Sequence, residues 1–354
     1  MPILFIPTKN RPASLSWVLN YLARFYPDTR VVIADGSDEC YKASNMSSVE
    51  KMQSGLSVNY KTYSQETGFI DRCLDALNSE PEEYIVFGAD DDYPNMELMF
   101  KGEKFLKKNP DFSTAMGARV VLNLKKDEVI RSRLAVVRPV ECAEAWQRMK
   151  IYSKWSFATT YAVTRRRHLL KRFKRLKQLA PIGFYDFMVG LHDAACGKIK
   201  AYPEVGFFTT RTYTHNFIRN TDKLFFIHNS KDILKLQEIV REDLEFEGLL
   251  TTEETEKQSE IIMLNRIAEL TGRDFRKLAN FSKSKLFNDH IVQSQYKLYN
   301  NIFDLSTKEG KKYSKHLRYI YQAMQSIVES SNRLEGKFVN TLDGKPDQEK
   351  QGSA

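Results

Sequence analysis

The chain has 354 residues, of which 42% are hydrophobic and 28% charged, and its formal net charge at pH 7 is +9. No apolar run approaches the roughly 20 residues of a membrane-spanning helix. The four cysteines are far apart and form no CxxC pair, so they suggest neither a zinc site nor a disulfide framework. The amino terminus lacks the zones of a signal peptide, and we therefore predict a cytoplasmic protein.

The first 95 residues predict a parallel sheet with helices on its faces. Short apolar runs alternate with segments of helical apolar spacing, which is typical of α/β proteins. In such sheets ligands bind at the carboxyl ends of the strands. Three polar segments fall at the predicted strand ends: Thr8 to Arg11, Asp35 to Ser37 and Asp90 to Asp92.

The later segments predict two further regions. Residues 112–121, 129–137 and 199–213 read as strands, whereas 167–179 and 183–196 read as helices. Beyond these the sequence becomes rich in Lys and Glu with helical apolar spacing, and its end is polar. We predict an α/β domain over residues 1–220, a helical appendage over residues 221–338 and a disordered tail over residues 339–354. The helical appendage is expected to be able to form a homodimer.

Three adjacent carboxylates, Asp90, Asp91 and Asp92, follow the apolar run EYIVFGA. Like charges near a core cost several kcal/mol per ion unless a cation meets them. Carboxylates at a strand end are also hard oxygen ligands that suit Mn²⁺ or Mg²⁺. The alternative is a simple acidic turn, because Asp and Gly are common turn residues.

Four blocks of the sequence, in order, resemble the inverting glycosyltransferases of family 2, which have the GT-A fold. The blocks are FIPTKNRPASLSWVLNYLAR, RVVIADGSDE, TGFIDRCLDALNSEPEEYIVFGADDDYP and GFYDFMVGLHDAACGKIKAYPEVGF, and together they cover most of residues 1–220. The resemblance implies a Rossmann-like, mostly parallel central sheet with helices on both faces. It also implies a nucleotide-diphosphate sugar as donor, with a UDP-sugar favoured, and a glycan or lipid-linked glycan as acceptor.

The resemblance also assigns donor-binding residues. Pro7, Thr8 and Arg11 match the first block, and Asp35 matches the position that bonds the nucleotide base, although Ala34 replaces the family's preceding Asp. The family's DxD motif falls on Asp90, implied to face the ribose or sugar, and on Asp92, implied to bind the metal. The alternative alignment, shifted by one residue, makes Asp91 the ligand.

The remaining implied residues lie on the closing side of the site. Asp186 matches the general base, which takes the proton of the acceptor hydroxyl, and a helix cap is its structural alternative. Asp193 is the first substitute for this base and His192 the weaker one. In TTRTYTHN, Arg211 is expected to offset phosphate charge, and His215 to complete the metal shell or bond the diphosphate.

The basic stretch 165–177 leaves other partners open. Residues 161–200 hold ten Lys and Arg against two acids, so nearly all of the excess charge lies there. We favour an anionic membrane surface as its partner, and a solvated helix face is the alternative. Nucleic acid is disfavoured, because charge elsewhere is balanced. A nucleotidyltransferase is another alternative, but it should carry a glycine-rich phosphate loop after the first strand, and the segment TKNRPAS there has no glycine. A non-catalytic protein that binds nucleotides or nucleic acid is a further alternative.

Overall fold

A computed structural model of the chain describes residues 1–52, 55–125, 128–154, 157–179, 184–212, 230–245, 249–270 and 290–342. The described strands, numbered β1 to β9, are Ile3–Thr8, Arg30–Asp35, Ser57–Thr62, Tyr84–Phe87, Asp92–Pro94, Phe112–Lys125, Glu128–Ala135, Val163–Arg165 and Lys198–Thr212. The described helices, numbered α1 to α11, are Pro12–Phe25, Glu39–Met52, Phe69–Asn78, Met96–Lys108, Ala145–Lys154, Arg166–Leu176, Phe184–Cys196, Ser230–Glu245, Thr252–Leu270, His290–Ile302 and Lys308–Leu342.

The strands form one sheet in the order β3-β2-β1-β4-β8-β6-β9-β5, with β7 paired to β6. The first four strands of this order are all parallel, and their register sets Thr8 beside Asp35. Beyond β4 the sheet is mixed, because β8 runs antiparallel to both β4 and β6 while β6 and β9 are parallel. The predicted α/β fold is confirmed, and its parallel part is the amino-terminal half.

This strand order contains a topological switch point. From β1 the chain adds β2 and β3 on one side, and it then crosses over to place β4 on the other side of β1. Loops leaving β1 and β4 therefore diverge, and such a crevice is the usual ligand site of open α/β sheets.

Alternate side chains of β1 enter two separate cores, as the two-residue period of a strand requires. Leu4 and Ile6 pack with α1 on one face, whereas Ile3 and Phe5 pack with α3, α6 and α7 on the other. The predicted helices on both faces are thus present.

The carboxyl-terminal helices pack against these same two cores. Residues of α8 and α9 join the core on the α3 face, and residues of α10 and α11 join the core on the α1 face. On α11, Tyr319 packs edge-on against Trp17 with ring centroids 5.4 Å apart. The boundaries at 220 and 338 and the homodimer stay predictions. The structure describes α11 as far as Leu342, so most of the predicted tail lies outside the described residues.

The basic stretch 165–177 is largely neutralised inside the fold. Five of its eight cations form ion pairs with acids elsewhere in the chain: Arg165 with Glu83, Lys171 and Arg175 with Asp243, Arg172 with Asp193, and Lys177 with Asp71. These pairs reduce the charge available to an external anionic surface, so membrane association stays a prediction. None of the described helices is both long and apolar enough to cross a bilayer.

Gly190 sets the close approach of α7 to α5. A Cβ at this position would overlap the ring and hydroxyl of Tyr152. We expect Gly190→Ala to lower the free energy of unfolding by about 1–3 kcal/mol, because overpacking outweighs the helix-propensity gain of about 1 kcal/mol. Urea denaturation measures the change. Gly55→Ala is the control, since its Cβ would have neighbours no closer than 3.9 Å, and equal stability of the two variants would contradict this packing.

Candidate functional site

Arg11 is the cation that pairs with two members of the acidic trio, Asp90 and Asp91. Its Nη1 donates to Asp90 Oδ1 and its Nη2 to Asp91 Oδ2, each over 2.5 Å. Thr8, the last residue of β1, donates through Oγ1 to Asp90 Oδ2 over 2.6 Å. The predicted residues Thr8, Arg11, Asp90 and Asp91 are therefore brought together across the switch point between β1 and β4.

The backbone turns at Asn10 to aim Arg11 into this crevice. Asn10 has a φ of 58°, a left-handed conformation that Asn tolerates better than most residues. Its backbone N–H donates to Ser37 Oγ over 2.8 Å, and its side-chain oxygen accepts from the Asp38 N–H over 2.9 Å. The loops after β1 and β2 are thus joined by side-chain bonds.

Asp35 organises the loop after β2 instead of facing the crevice. Its side chain is fully buried. Oδ1 accepts from the Ser37 N–H over 2.7 Å, while Oδ2 accepts from Asn45 Nδ2 over 2.7 Å and from the Tyr60 hydroxyl over 2.5 Å. Protein donors thus bond both oxygens of Asp35, and its predicted contact with a nucleotide base stays a prediction.

Arg72 is a site residue that the sequence interpretation missed. Its Nη1 donates to the carbonyl oxygens of Thr8 and Ala34, over 2.8 and 3.2 Å, and so ties together the ends of β1 and β2. A Cβ at Gly36 would overlap the Arg72 guanidinium, which explains the glycine. One feature of the sequence could have identified Arg72: it lies beside Cys73 on the otherwise apolar face of α3, where a charged residue needs a partner.

Asp92 differs from its two neighbours because no protein cation pairs with it in the described part of the chain. Its side chain is 4% exposed, Oδ1 accepts from the Thr210 N–H over 2.9 Å, and Oδ2 accepts from the Tyr161 hydroxyl. Burial and the neighbouring Asp91 raise the pKa of Asp92 to about 7. Arg119 lies over the Tyr161 ring, 5.3 Å from its centroid. Tyr161 was not identified from the sequence, because no motif marks it.

A divalent cation of the Mg²⁺ type at these carboxylates stays a prediction. Among the described residues no three His, Cys, Asp or Glu side chains are grouped to hold a metal ion. Mg²⁺ and Mn²⁺ commonly bind one or two carboxylates together with substrate phosphates, so three protein ligands are not required. A buried carboxylate without a paired cation, as at Asp92, is the chemistry that such an ion would stabilise.

The other predicted residues are only partly described. Pro7 lies in β1 next to Ala34 of β2. Arg211 lies in β9 and pairs in register with Asn123, but its side chain is outside the described residues, as is the whole of His215. These residues therefore keep their predicted roles without a described contact.

Asp186 lies in the first turn of α7, and its side chain is outside the described residues. Its neighbour Tyr185 places this turn near the crevice, because the Tyr185 ring lies 6.0 Å from that of Phe87, the last residue of β4. The helix therefore begins close to the strand end that carries the acidic trio.

The two substitutes for the general base, Asp193 and His192, are both buried. Asp193 is 1% exposed, forms an ion pair with Arg172 at 3.1 Å and accepts from Thr159 Oγ1 over 2.5 Å. His192 is fully buried between helices. In the described part of the chain both side chains are thus shielded from solvent.

A polar cleft of about 660 Å³ lies at the carboxyl ends of β2 and β3. Its volume is in the range of small-molecule sites. It adjoins the loop that Asp35 organises, and it is lined by Ser37, Asp38, Glu39, Lys42 and residues 62–65. The cleft therefore offers hydrogen-bonding groups and both signs of charge.

No protein-family model matches the sequence, and no curated protein matches it. In structure the chain is similar to S. aureus TarS residues 1–349, with 16% identity, a TM-score of 0.47, and coverage of 94% of this chain and 92% of that one. The same protein in complex with UDP gives 15% identity and a TM-score of 0.43, with 94% and 92% covered. The complex of TarS residues 1–349 with UDP-GlcNAc also has 15% identity and a TM-score of 0.43, with coverage of 84% of this chain and 92% of that one. At these values the similarity does not bear on activity.

The ion pair of Arg11 with Asp90 should control stability above neutral pH. Burial raises the pKa of Asp90 to about 7 even though Arg11 lowers it. At pH 8 the carboxylate is ionised, and we expect Arg11→Met to lower the free energy of unfolding by about 3 kcal/mol, because it leaves a buried charge unpaired. At pH 5 the loss should be smaller, since Asp90 is then protonated.

The double variant Arg11→Met with Asp90→Asn is the control for the single variant Arg11→Met. It removes the buried Asp90 charge together with Arg11 but leaves Asp91 without that cation, so it should recover part of the stability at pH 8. Urea denaturation at pH 5 and pH 8 measures both effects. A loss for Arg11→Met that is independent of pH, or that the second substitution does not reverse, would argue against this account.

Proposed function

We propose that the chain is a glycosyltransferase that moves a sugar from a nucleotide-diphosphate donor, a UDP-sugar, to a hydroxyl of a glycan or lipid-linked glycan, with inversion at the anomeric carbon. The observation that carries the proposal is the convergence of Thr8, Arg11 and the acidic trio at the switch point, beside the polar cleft at the ends of β2 and β3. The sequence blocks that resemble family 2 support the same function.

The nucleoside of the donor would bind in the polar cleft. Asp38 and Glu39 can accept hydrogen bonds from a ribose or base, and Lys42 can donate them. Asp35 would act through the loop that it holds, and Arg72 would fix the relative position of the ends of β1 and β2. The diphosphate would then lie towards the acidic trio at the end of β4.

Asp92 would hold Mn²⁺ or Mg²⁺, with Asp91 as the alternate ligand. A bound ion of this kind stabilises the negative charge that develops on the leaving diphosphate. Arg11 would keep Asp90 and Asp91 in place, because its two nitrogens already bond them. Arg211 and His215 remain the proposed partners of the phosphates and the metal shell.

Asp186 would take the proton from the acceptor. The hydroxyl oxygen forms a bond to the anomeric carbon on the face opposite the diphosphate, the carbon–oxygen bond to the diphosphate breaks, and the hydroxyl proton passes to the carboxylate. A positioned general base of this kind contributes typically about 10²- to 10⁴-fold to the rate. The start of α7 beside the end of β4 is where such a group is needed.

Donor binding is testable by thermal unfolding with UDP, GDP and CMP, each with and without Mn²⁺. We expect UDP with Mn²⁺ to raise the melting temperature most, because a ligand that binds only the folded state stabilises it. Asp92→Asn should lose the Mn²⁺-dependent part of this increase and at least about 100-fold of the donor-hydrolysis rate, since the metal stabilises the leaving charge.

Asp111→Asn is the matched control, because Asp111 is exposed, directly precedes β6 and forms an ion pair with Lys198 at the start of β9, away from the acidic trio. It should behave like the wild type in both measurements. Equal inactivity of the wild type and Asp92→Asn across a panel of sugar nucleotides, with no stabilisation by any nucleotide, would remove the support for the enzyme.

The general base is tested by Asp186→Asn. We expect kcat to fall by about 10²- to 10⁴-fold, while KM for the donor stays within about threefold, because the substitution removes proton transfer and not donor binding. Steady-state kinetics with an accepted donor measures both parameters. A KM increase with little change in kcat would assign Asp186 to binding instead.

A further inference from the structure

Five exposed cations of α1 and α11 form one surface, which we call the basic face. They are Arg24, Lys308, Lys311, Lys315 and Arg318. The four on α11 follow one another at intervals of three or four residues, which places them on one side of a helix. The fifth belongs to α1 and lies over the ring of Tyr319, with its guanidinium carbon 6.0 Å from the ring centroid. Both helices therefore contribute positive charge to the same surface.

The basic face is not neutralised inside the fold. None of its five cations forms an ion pair with an acid in the part of the chain that the structure describes. Their neighbour Lys312 does, with Glu97 at 2.9 Å. From Lys308 to Ile327 the helix carries a single acid, Glu309. The basic face thus differs from the stretch 165–177, most of whose cations are paired within the chain.

The arrangement of these cations is electrostatically unfavourable in the chain by itself. Lys308 and Lys311 lie in the first turn of α11, where the helix dipole opposes positive charge. Like charges three or four residues apart on a helix also repel one another. Both effects are relieved when anions bind from outside the chain. The basic face is therefore complementary to a negatively charged partner.

Two exposed apolar side chains adjoin the amino-terminal end of the basic face. Phe303 is 46% exposed and Leu305 is 61% exposed, and both lie in the turn that joins α10 to α11. The turn is held by its own hydrogen bonds, because Asp304 Oδ1 accepts from the Ser306 N–H over 2.9 Å and from the Ser306 hydroxyl over 2.7 Å. An ordered turn thus keeps two apolar groups in water next to a row of cations.

Cations beside exposed apolar groups favour a lipid surface as the partner. Lys and Arg are attracted to anionic headgroups, while apolar side chains enter the boundary between headgroups and acyl chains. Single-stranded nucleic acid would also meet the charge, but its bases stack on aromatic rings. Leu305 is the more exposed member of the apolar pair, and it has no ring on which a base could stack.

We propose that the basic face and the turn 303–307 bind an anionic lipid surface, with Phe303 and Leu305 entering the headgroup layer and the cations contacting lipid phosphates. This surface is distinct from the stretch 165–177, for which membrane association was predicted from the sequence. It does not depend on the proposed glycosyltransferase activity and would survive the failure of that proposal.

Co-sedimentation of the full-length chain with vesicles tests the proposal. The vesicles contain phosphatidylglycerol mixed with phosphatidylcholine, or phosphatidylcholine alone. We expect binding to the anionic vesicles at low salt that weakens as the salt concentration rises, because salt screens exposed charges. The triple variant Lys308→Gln, Lys311→Gln and Lys315→Gln should lower the partition coefficient about 100-fold, since each cation near such a surface contributes about fivefold.

The matched control removes the same charge from the stretch 165–177. It is the triple variant Lys171→Gln, Lys174→Gln and Lys177→Gln, whose three lysines are also exposed. This control should lower the partition coefficient by less than about threefold, because these lysines lie outside the proposed surface. Circular dichroism and thermal unfolding report whether each variant is folded, and the comparison of the two vesicle types with the wild type decides the outcome if a variant is not.

The apolar part of the surface has its own variant. Phe303→Ser with Leu305→Ser should lower the partition coefficient at least about tenfold at low salt, because binding scales with the apolar area that enters the lipid. Leu234→Ser with Leu264→Ser is the control, since these leucines of α8 and α9 are 68% and 66% exposed and lie outside the proposed surface. It should bind like the wild type, and equal loss in the two double variants contradicts insertion by the turn.

Three results overturn the proposal. The first is the absence of wild-type binding to anionic vesicles at low salt. The second is a loss in the control of the stretch 165–177 that equals or exceeds the loss in the α11 variant. The third is binding of single-stranded RNA, measured by gel shift, without binding of vesicles, which would assign the basic face to nucleic acid.

Discussion

The pairing of Arg11 with Asp90 and Asp91 is the interaction on which the rest of the site depends. Three carboxylates follow a buried strand, and two of them share one guanidinium that reaches them from the end of the neighbouring strand. Without that cation the switch point between β1 and β4 would bring together like charges in a region of low dielectric. The crevice therefore combines two carboxylates that pair with Arg11 and a third, Asp92, that forms no ion pair within the described residues.

Much of this arrangement follows from the sequence. Alternating strand and helix patterns predict that Thr8, Arg11 and Asp90 lie at one edge of the sheet, because the carboxyl ends of parallel strands meet there. What the pattern cannot give is the partner of each side chain. The trio was expected to need a cation, and a metal was the first choice, whereas two of its members bind an arginine that was itself assigned to the donor.

The internal hydrogen bonds of Asp35 and Asp193 share a physical cause. Both residues occupy sequence positions that suit a functional carboxylate, but the fold supplies enough donors to satisfy each one internally: Asn45 and Tyr60 for Asp35, and Arg172 for Asp193. These donors come from segments distant in sequence, so no local pattern reveals them. The same holds for Tyr161, which reaches Asp92 from a loop that carries no motif.

The central claim is that one crevice holds a nucleotide at the end of β2 and its diphosphate at the end of β4. The most direct measurement is a crystal structure of the chain with UDP and Mn²⁺, with the metal located by its anomalous scattering. The account predicts the base in the polar cleft beside Ser37 and Lys42 and the metal on Asp92 in contact with the diphosphate. Nucleotide bound elsewhere, or a metal peak remote from the acidic trio, would contradict it.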